Sequence, residues 1–131
     1  MIDLRKPAKQ AFQELEHKFQ KESAQWIKKE LFKRGLPQLA FHVPNERKAS
    51  IRQLAQLKLQ GVLSGASDWI ILIPAGEYHG LVVELKKAKG TTNDDQKKFL
   101  IAAAEQGYLA VVINDMETFK ETVTAYLELK K

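Results

Sequence analysis

Three charged residues accompany two apolar segments near the middle of the chain. Residues 67–90 read SDWIILIPAGEYHGLVVELKKAKG, with Asp68 opening the first segment and Glu84 and Lys86 in the second. Residues i and i+2 of a strand project to the same face, so Glu84 and Lys86 are expected to lie together. The short connection between the segments predicts antiparallel pairing, which would bring Asp68 to the same place.

These residue types indicate metal-dependent chemistry. Two carboxylates in a partly buried site repel each other unless a cation or a proton intervenes. Oxygen ligands favour a hard cation such as Mg²⁺, for which Mn²⁺ is expected to substitute. An adjacent lysine can position a water or stabilise negative charge on phosphorus, so the set predicts phosphodiester hydrolysis. The alternative is a Glu84–Lys86 salt bridge on an exposed sheet face.

The elements that would position these residues follow from apolar periodicity. Apolar residues at three- and four-residue steps predict a long helix from about residue 10 to 34, stopped by Gly35 and Pro37. Further helices are predicted at 50–60, from about 93 to before Gly107, and at 115–129, with strands at 39–43, 69–73, 81–86 and 108–113. This order predicts an α/β fold with a mixed central sheet flanked by helices.

Length and composition exclude several classes of protein. The 131 residues suit one domain spanning residues 1–131, and the absence of cysteine excludes disulfides and thiolate zinc sites. No apolar run approaches the roughly 18 residues of a membrane span, and the N-terminus lacks a signal-peptide core. A cytoplasmic protein is therefore expected, with no membrane partner.

The net charge of +5 is unevenly distributed. Residues 1–60 carry 13 Lys/Arg against 6 Asp/Glu, whereas residues 61–131 carry 8 against 10. A basic first half beside a carboxylate site suits a polyanionic partner. The alternative is a solvated, lysine-rich helix surface.

An ordered set of motifs resembles a known family. The matching segments are HVPNER at 42–47, GVLSGASDWIILIP at 61–74, YHGLVVELKKAKG at 78–90 and DDQKKFLIAAAEQGYLAVVIND at 94–115. Together they resemble the virus-type replication-repair nuclease (VRR-NUC) domain of the PD-(D/E)XK superfamily, over nearly the whole chain from about Glu22. The resemblance implies a restriction-endonuclease-like fold.

The resemblance also implies roles for individual residues. Asp68, Glu84 and the backbone carbonyl of Leu85 would bind the metal, and Lys86 would complete the catalytic set. Gln96 would be the glutamine of the following helix, and Glu22, expected on the apolar face of the first helix, would match the family's acidic residue there. The sequence departs from the family at Ser67, where proline usually precedes the aspartate.

These inferences predict a Mg²⁺-dependent, structure-selective DNA endonuclease. The most specific version of this prediction is a Holliday junction resolvase. Phosphate contacts are expected from Lys28, Lys29, Lys48 and Arg52. Two matched cuts across a junction call for two sites, so a homodimer is expected, paired through the long first helix. Two rivals remain: a non-catalytic nucleic-acid-binding module with the same fold, and an unrelated α/β interaction protein.

Overall fold

The computed structural model describes residues 8–43, 50–63, 65–86 and 94–130, with side chains described from residue 18 onward in the first helix. Four helices and four strands follow one another along these residues. In chain order they are α1 (Ala8–Lys33), β1 (Ala40–His42), α2 (Ile51–Leu59), β2 (Trp69–Ile71), β3 (Leu81–Leu85), α3 (Asp94–Glu105), β4 (Leu109–Ile113) and α4 (Met116–Leu127).

The chain divides into two compact units, Met1–Gln38 and Leu39–Lys131. The first contains α1, which has 26 residues and ends close to the predicted boundary. Gly35 follows with a φ of +68°, a conformation that favours glycine at a helix C-terminus. This division does not decide whether residues 1–131 form one domain, which stays a prediction.

The second unit contains a four-stranded mixed sheet in the order β1-β2-β3-β4. β1 pairs antiparallel with β2, β2 antiparallel with β3, and β3 parallel with β4. The antiparallel pairing expected of the two central segments is therefore confirmed. In its register Trp69 lies opposite Val83, so β2 begins beside the point where β3 reaches Glu84.

Helices of this unit cover both faces of the sheet. The Trp69 ring lies 6.2 Å from that of Phe119 in α4, and Tyr126 of α4 donates a 2.6 Å hydrogen bond to the Ile73 carbonyl. Trp69, Phe119 and Tyr126 are all buried, as expected for the core. Glu84 points to the opposite face, where Gln96 of α3 reaches it. The predicted α/β fold with a mixed central sheet is confirmed.

Side-chain caps fix two of the helix starts. The Ser50 hydroxyl accepts a hydrogen bond from the Gln53 N–H, and the Ser50 N–H donates one to the side-chain oxygen of Gln53, which completes a capping box. Asp115 accepts from the Thr118 N–H at 2.7 Å, and these hydrogen bonds lower the pKa of its carboxyl. The first residue of the helix predicted from about residue 93 lies outside the described residues.

The strands are shorter than their apolar runs predicted. β2 ends at Ile71 and β3 at Leu85, two residues and one residue before the predicted boundaries. The apolar run continues past β2 because Ile73 is still buried, although it no longer belongs to the ladder. Within the described part of the chain, none of the helices has the length and apolarity needed to cross a membrane.

Candidate functional site

Asp68 lies where the ladder between β2 and β3 ends. Its Oδ2 accepts a 2.7 Å hydrogen bond from the backbone N–H of Leu85. The main chain of Asp68 is also held, because its carbonyl accepts from the Val43 N–H at 2.8 Å. The carboxylate thus takes the place of a strand partner for Leu85, the residue between Glu84 and Lys86.

Glu84 is a buried carboxyl group in the centre of the sheet. Its side chain is only 2% exposed, and its Oε1 accepts a 2.7 Å hydrogen bond from Gln96 Nε2. This burial does not suit the alternative of a Glu84–Lys86 pair on an exposed face. One amide hydrogen of Gln96 is therefore donated to Glu84. A primary amide has a second hydrogen to donate.

Lys86 continues the ladder beyond β3. Its backbone N–H donates to the Ile113 carbonyl at 2.7 Å, and its side chain is half-buried. Alternation along an extended chain therefore places the ammonium group on the Glu84 side of the sheet. The N–H and C=O of one residue in a strand point the same way, so the Leu85 carbonyl faces the edge where Asp68 lies.

His42 was not singled out from the sequence but lies beside Asp68. It pairs with Trp69 across β1 and β2, and the two rings are 6.0 Å apart. Burial lowers the pKa of His42, while the Asp68 carboxylate opposes this by raising it. The signal for this proximity is the strand register, which the sequence alone does not fix.

Ser67, the residue in place of the family's proline, is completely buried. Its hydroxyl oxygen has no hydrogen-bond partner among the described residues. A buried polar group without a partner costs free energy. The Ser67 hydroxyl, in the residue directly before Asp68, is therefore expected to lower the free energy of unfolding.

The remaining predicted site residues lie elsewhere. Glu22 is exposed on α1, so the expectation that it faces inward is wrong. Among the side chains described in this helix, Ser23, Ile27 and Leu31 are buried, and Glu22 lies one residue, about 100°, from their stripe. Its role at a metal site stays a prediction. Lys28, Lys29 and Arg52 are exposed, and Lys48 lies outside the described residues.

The residues at the ends of β2 and β3 suit a hard cation. Buried charges in proteins are paired or coordinate metals, and Glu84 is a buried acid one residue from the hydrogen bond that holds Asp68. Mg²⁺ commonly takes one or two carboxylates and keeps several waters. Across the described ranges, no group of three or more His, Cys, Asp or Glu side chains is arranged to hold a metal ion.

Comparison with known proteins identifies the family of this chain. The model of the VRR-NUC domain matches residues 9–116. The chain belongs to the VRR-NUC family. A solved structure described as a VRR_NUC domain protein is 31% identical and superposes with a TM-score of 0.62, covering 71% of this chain and 70% of that one. No curated protein matches significantly. Membership of VRR-NUC, a nuclease-type family, implies nuclease activity in general and binding to nucleic acid.

Asp68→Ala and Asp68→Asn should differ in stability although both remove the charge. Asparagine retains an oxygen that can accept from the Leu85 N–H, whereas alanine leaves that N–H without it. We expect Asp68→Ala to have the lower free energy of unfolding, by about 1 kcal/mol, and faster amide exchange at Leu85. Urea unfolding and hydrogen exchange measure both. Equal free energies of unfolding for the two variants, with unchanged amide exchange at Leu85, would show that the hydrogen bond does not contribute to stability.

Ser67→Ala should stabilise the protein, and Ser23→Ala is its matched control. Both serines are fully buried, but Ser23 donates a 2.9 Å hydrogen bond to the Gln20 carbonyl. Removing the unpartnered Ser67 hydroxyl should raise the free energy of unfolding by about 1 kcal/mol, whereas Ser23→Ala should leave it unchanged or lower it slightly. Urea unfolding of both variants tests this. A loss of stability in Ser67→Ala would mean that its hydroxyl has a favourable partner.

Proposed function

We propose that this VRR-NUC protein is a Mg²⁺-dependent endonuclease that cuts branched DNA. The observation that carries this proposal is the Asp68–Leu85 hydrogen bond, because it holds one carboxylate beside the strand residues that flank Leu85, namely the buried Glu84 and Lys86. A bound Mg²⁺ would supply Lewis acidity and lower the pKa of water. Asp68, Glu84 and the Leu85 carbonyl would hold it.

Each residue of the site then has a distinct role. The Asp68 and Glu84 carboxylates provide negative charge that binds the cation. Gln96 orients Glu84 through its amide hydrogen bond. The Lys86 ammonium group donates to the attacking water or to the phosphoryl oxygens, where it stabilises the negative charge that develops in the transition state.

DNA would be held chiefly by its phosphates. Lys28 and Lys29 on α1 and Arg52 on α2 are exposed and able to reach a ligand. Together with Lys48 they would bind the backbone without reading base sequence. Recognition is therefore proposed to depend on the shape of the DNA. The four-way junction is the most specific substrate that we propose.

Cleavage of a DNA panel tests the proposed activity. Linear, nicked, flapped and four-way DNA are incubated with the protein, with and without Mg²⁺, and we expect Mg²⁺-dependent cuts on the branched substrates. Glu84→Gln and Lys86→Ala should each lower the rate roughly 100- to 1,000-fold, the loss typical when one charge-stabilising group is removed. Glu105→Gln and Lys98→Ala, two exposed residues of α3, are the matched controls.

Two results would contradict the proposal in different ways. Glu84→Gln or Lys86→Ala cutting at the wild-type rate would remove the assigned site. Wild-type protein that binds all four DNA forms yet cuts none with Mg²⁺ or Mn²⁺ would favour the non-catalytic module instead. Selective cutting of RNA would show that the substrate is RNA and not DNA, and would leave the assignment of the site residues unchanged.

We further propose that two copies act together on a junction. Resolution needs two matched cuts, and twofold symmetry supplies two identical sites. α1 has 26 residues and would span about 39 Å, which is long for a chain of this size. We expect light scattering to report a dimer of the 14.9 kDa chain, free or on junction DNA. A monomer under both conditions would rule out paired cutting and leave single-strand cleavage.

A further inference from the structure

Gly65 lies directly against the first turn of α3. Its φ is +82°, and a Cβ built on it would lie 2.5 Å from the carbonyl carbon and oxygen of Asp95. Cβ contacts below 3.0 Å essentially do not occur in proteins, and here the opposing atoms belong to backbone, which cannot rotate away. The close approach therefore requires a residue without a side chain.

The peptide that Gly65 touches carries the residue that holds Glu84. Asp95 immediately precedes Gln96, whose Nε2 donates to Glu84 Oε1 at 2.7 Å. A methyl group at residue 65 would push the Asp95 peptide outward by most of an ångström to reach ordinary contact. Because N–H···O hydrogen bonds are about 2.7–3.2 Å long, this shift would take Gln96 out of hydrogen-bond distance of Glu84.

The same short segment also places the other carboxylate. Asp68 follows Gly65 by three residues and accepts the Leu85 N–H hydrogen bond. Gly65, at one end of the 65–68 segment, thus limits how closely the first turn of α3 approaches this segment. Asp68, at the other end, contacts β3. Glu84 lies between these two contacts, since it precedes Leu85 and accepts from Gln96.

We propose that Gly65 is a positioning residue for the nuclease site proposed above: its missing side chain sets the first turn of α3 at the distance from which Gln96 orients Glu84. Gly65 touches neither the carboxylates nor the substrate in this role. Its effect on cleavage passes through Gln96, and that dependence separates positioning from a general contribution to stability.

Gly61 provides a matched control in the same connection. It also has a positive φ, +91°, but an added Cβ there meets nothing within 4 Å. Gly61→Ala therefore introduces the backbone strain of a left-handed residue without the clash. The comparison of Gly65→Ala with Gly61→Ala isolates the contact with Asp95. Gly65→Asn and Gly61→Asn form a second pair, because asparagine tolerates this backbone region better than alanine does.

The first readout is independent of activity. The side-chain amide signals of Gln96, assigned by their loss in Gln96→Ala, report its hydrogen bond to Glu84 in metal-free protein. We expect Gly65→Ala to shift these signals and Gly61→Ala to leave them in place. If they are unchanged in a folded Gly65→Ala or Gly65→Asn protein, Gly65 does not position Gln96. This result does not depend on whether the protein cleaves DNA.

The second readout is a double-mutant cycle on cleavage. Gly65→Ala should lower kcat roughly 10- to 100-fold with a smaller change in KM, as expected for a misplaced supporting group. In a Gln96→Ala background the same substitution should lower kcat by no more than about twofold. Independent, multiplicative losses would overturn the proposal.

Two further outcomes have separate meanings. Folding of both Gly61 variants and of neither Gly65 variant would show that the contact serves the whole fold, and the local positioning role would be rejected. Wild-type protein without nuclease activity would contradict the proposed function, while the Gln96 signals would still decide whether Gly65 sets the position of α3.

Discussion

The hydrogen bond from the Leu85 N–H to Asp68 Oδ2 connects the fold to the site. β2 and β3 stop pairing through their backbones after Trp69 and Val83, and at this point a carboxylate replaces the next backbone acceptor. The replacement fixes the direction of Asp68 without a further element of structure. It also places negative charge beside the strand residues on either side of Leu85, so the end of an ordinary ladder becomes a place for chemistry.

Glu84 depends on a second connection, made by the helix that covers its face of the sheet. Its burial requires a donor, which Gln96 supplies from the first turn of α3. The contact between Gly65 and Asp95 limits the position of this first turn of α3. The two acids are therefore held by different means: Asp68 by backbone of β3, and Glu84 by a side chain whose position depends on helix packing. A disturbance of α3 should reach Glu84 before it reaches Asp68.

Features set by neighbouring residues were predictable from the sequence. The antiparallel central strands, the Ser50 and Asp115 caps and the stop at Gly61 all follow from local patterns, and the structure contains each of them. The motif also identified Asp68, Glu84 and Gln96, of which the structure joins the last two directly. Exposure of Glu22 was missed because the three- and four-residue apolar steps leave the centre of a helix face uncertain by about one residue, or 100°.

Contacts between distant segments were beyond sequence reasoning for a different reason. Gly65 and Asp95 are 30 positions apart, and nothing in the local pattern of either shows that their backbones meet. Likewise, the Leu85 N–H looks like an ordinary strand donor, and only the register shows that β2 begins at Trp69 and so provides no strand residue opposite Leu85. Asp68 consequently carries two tasks, one in the fold and one proposed in catalysis. Loss of activity on its removal to alanine does not separate them, whereas asparagine, which keeps the acceptor and loses the charge, does.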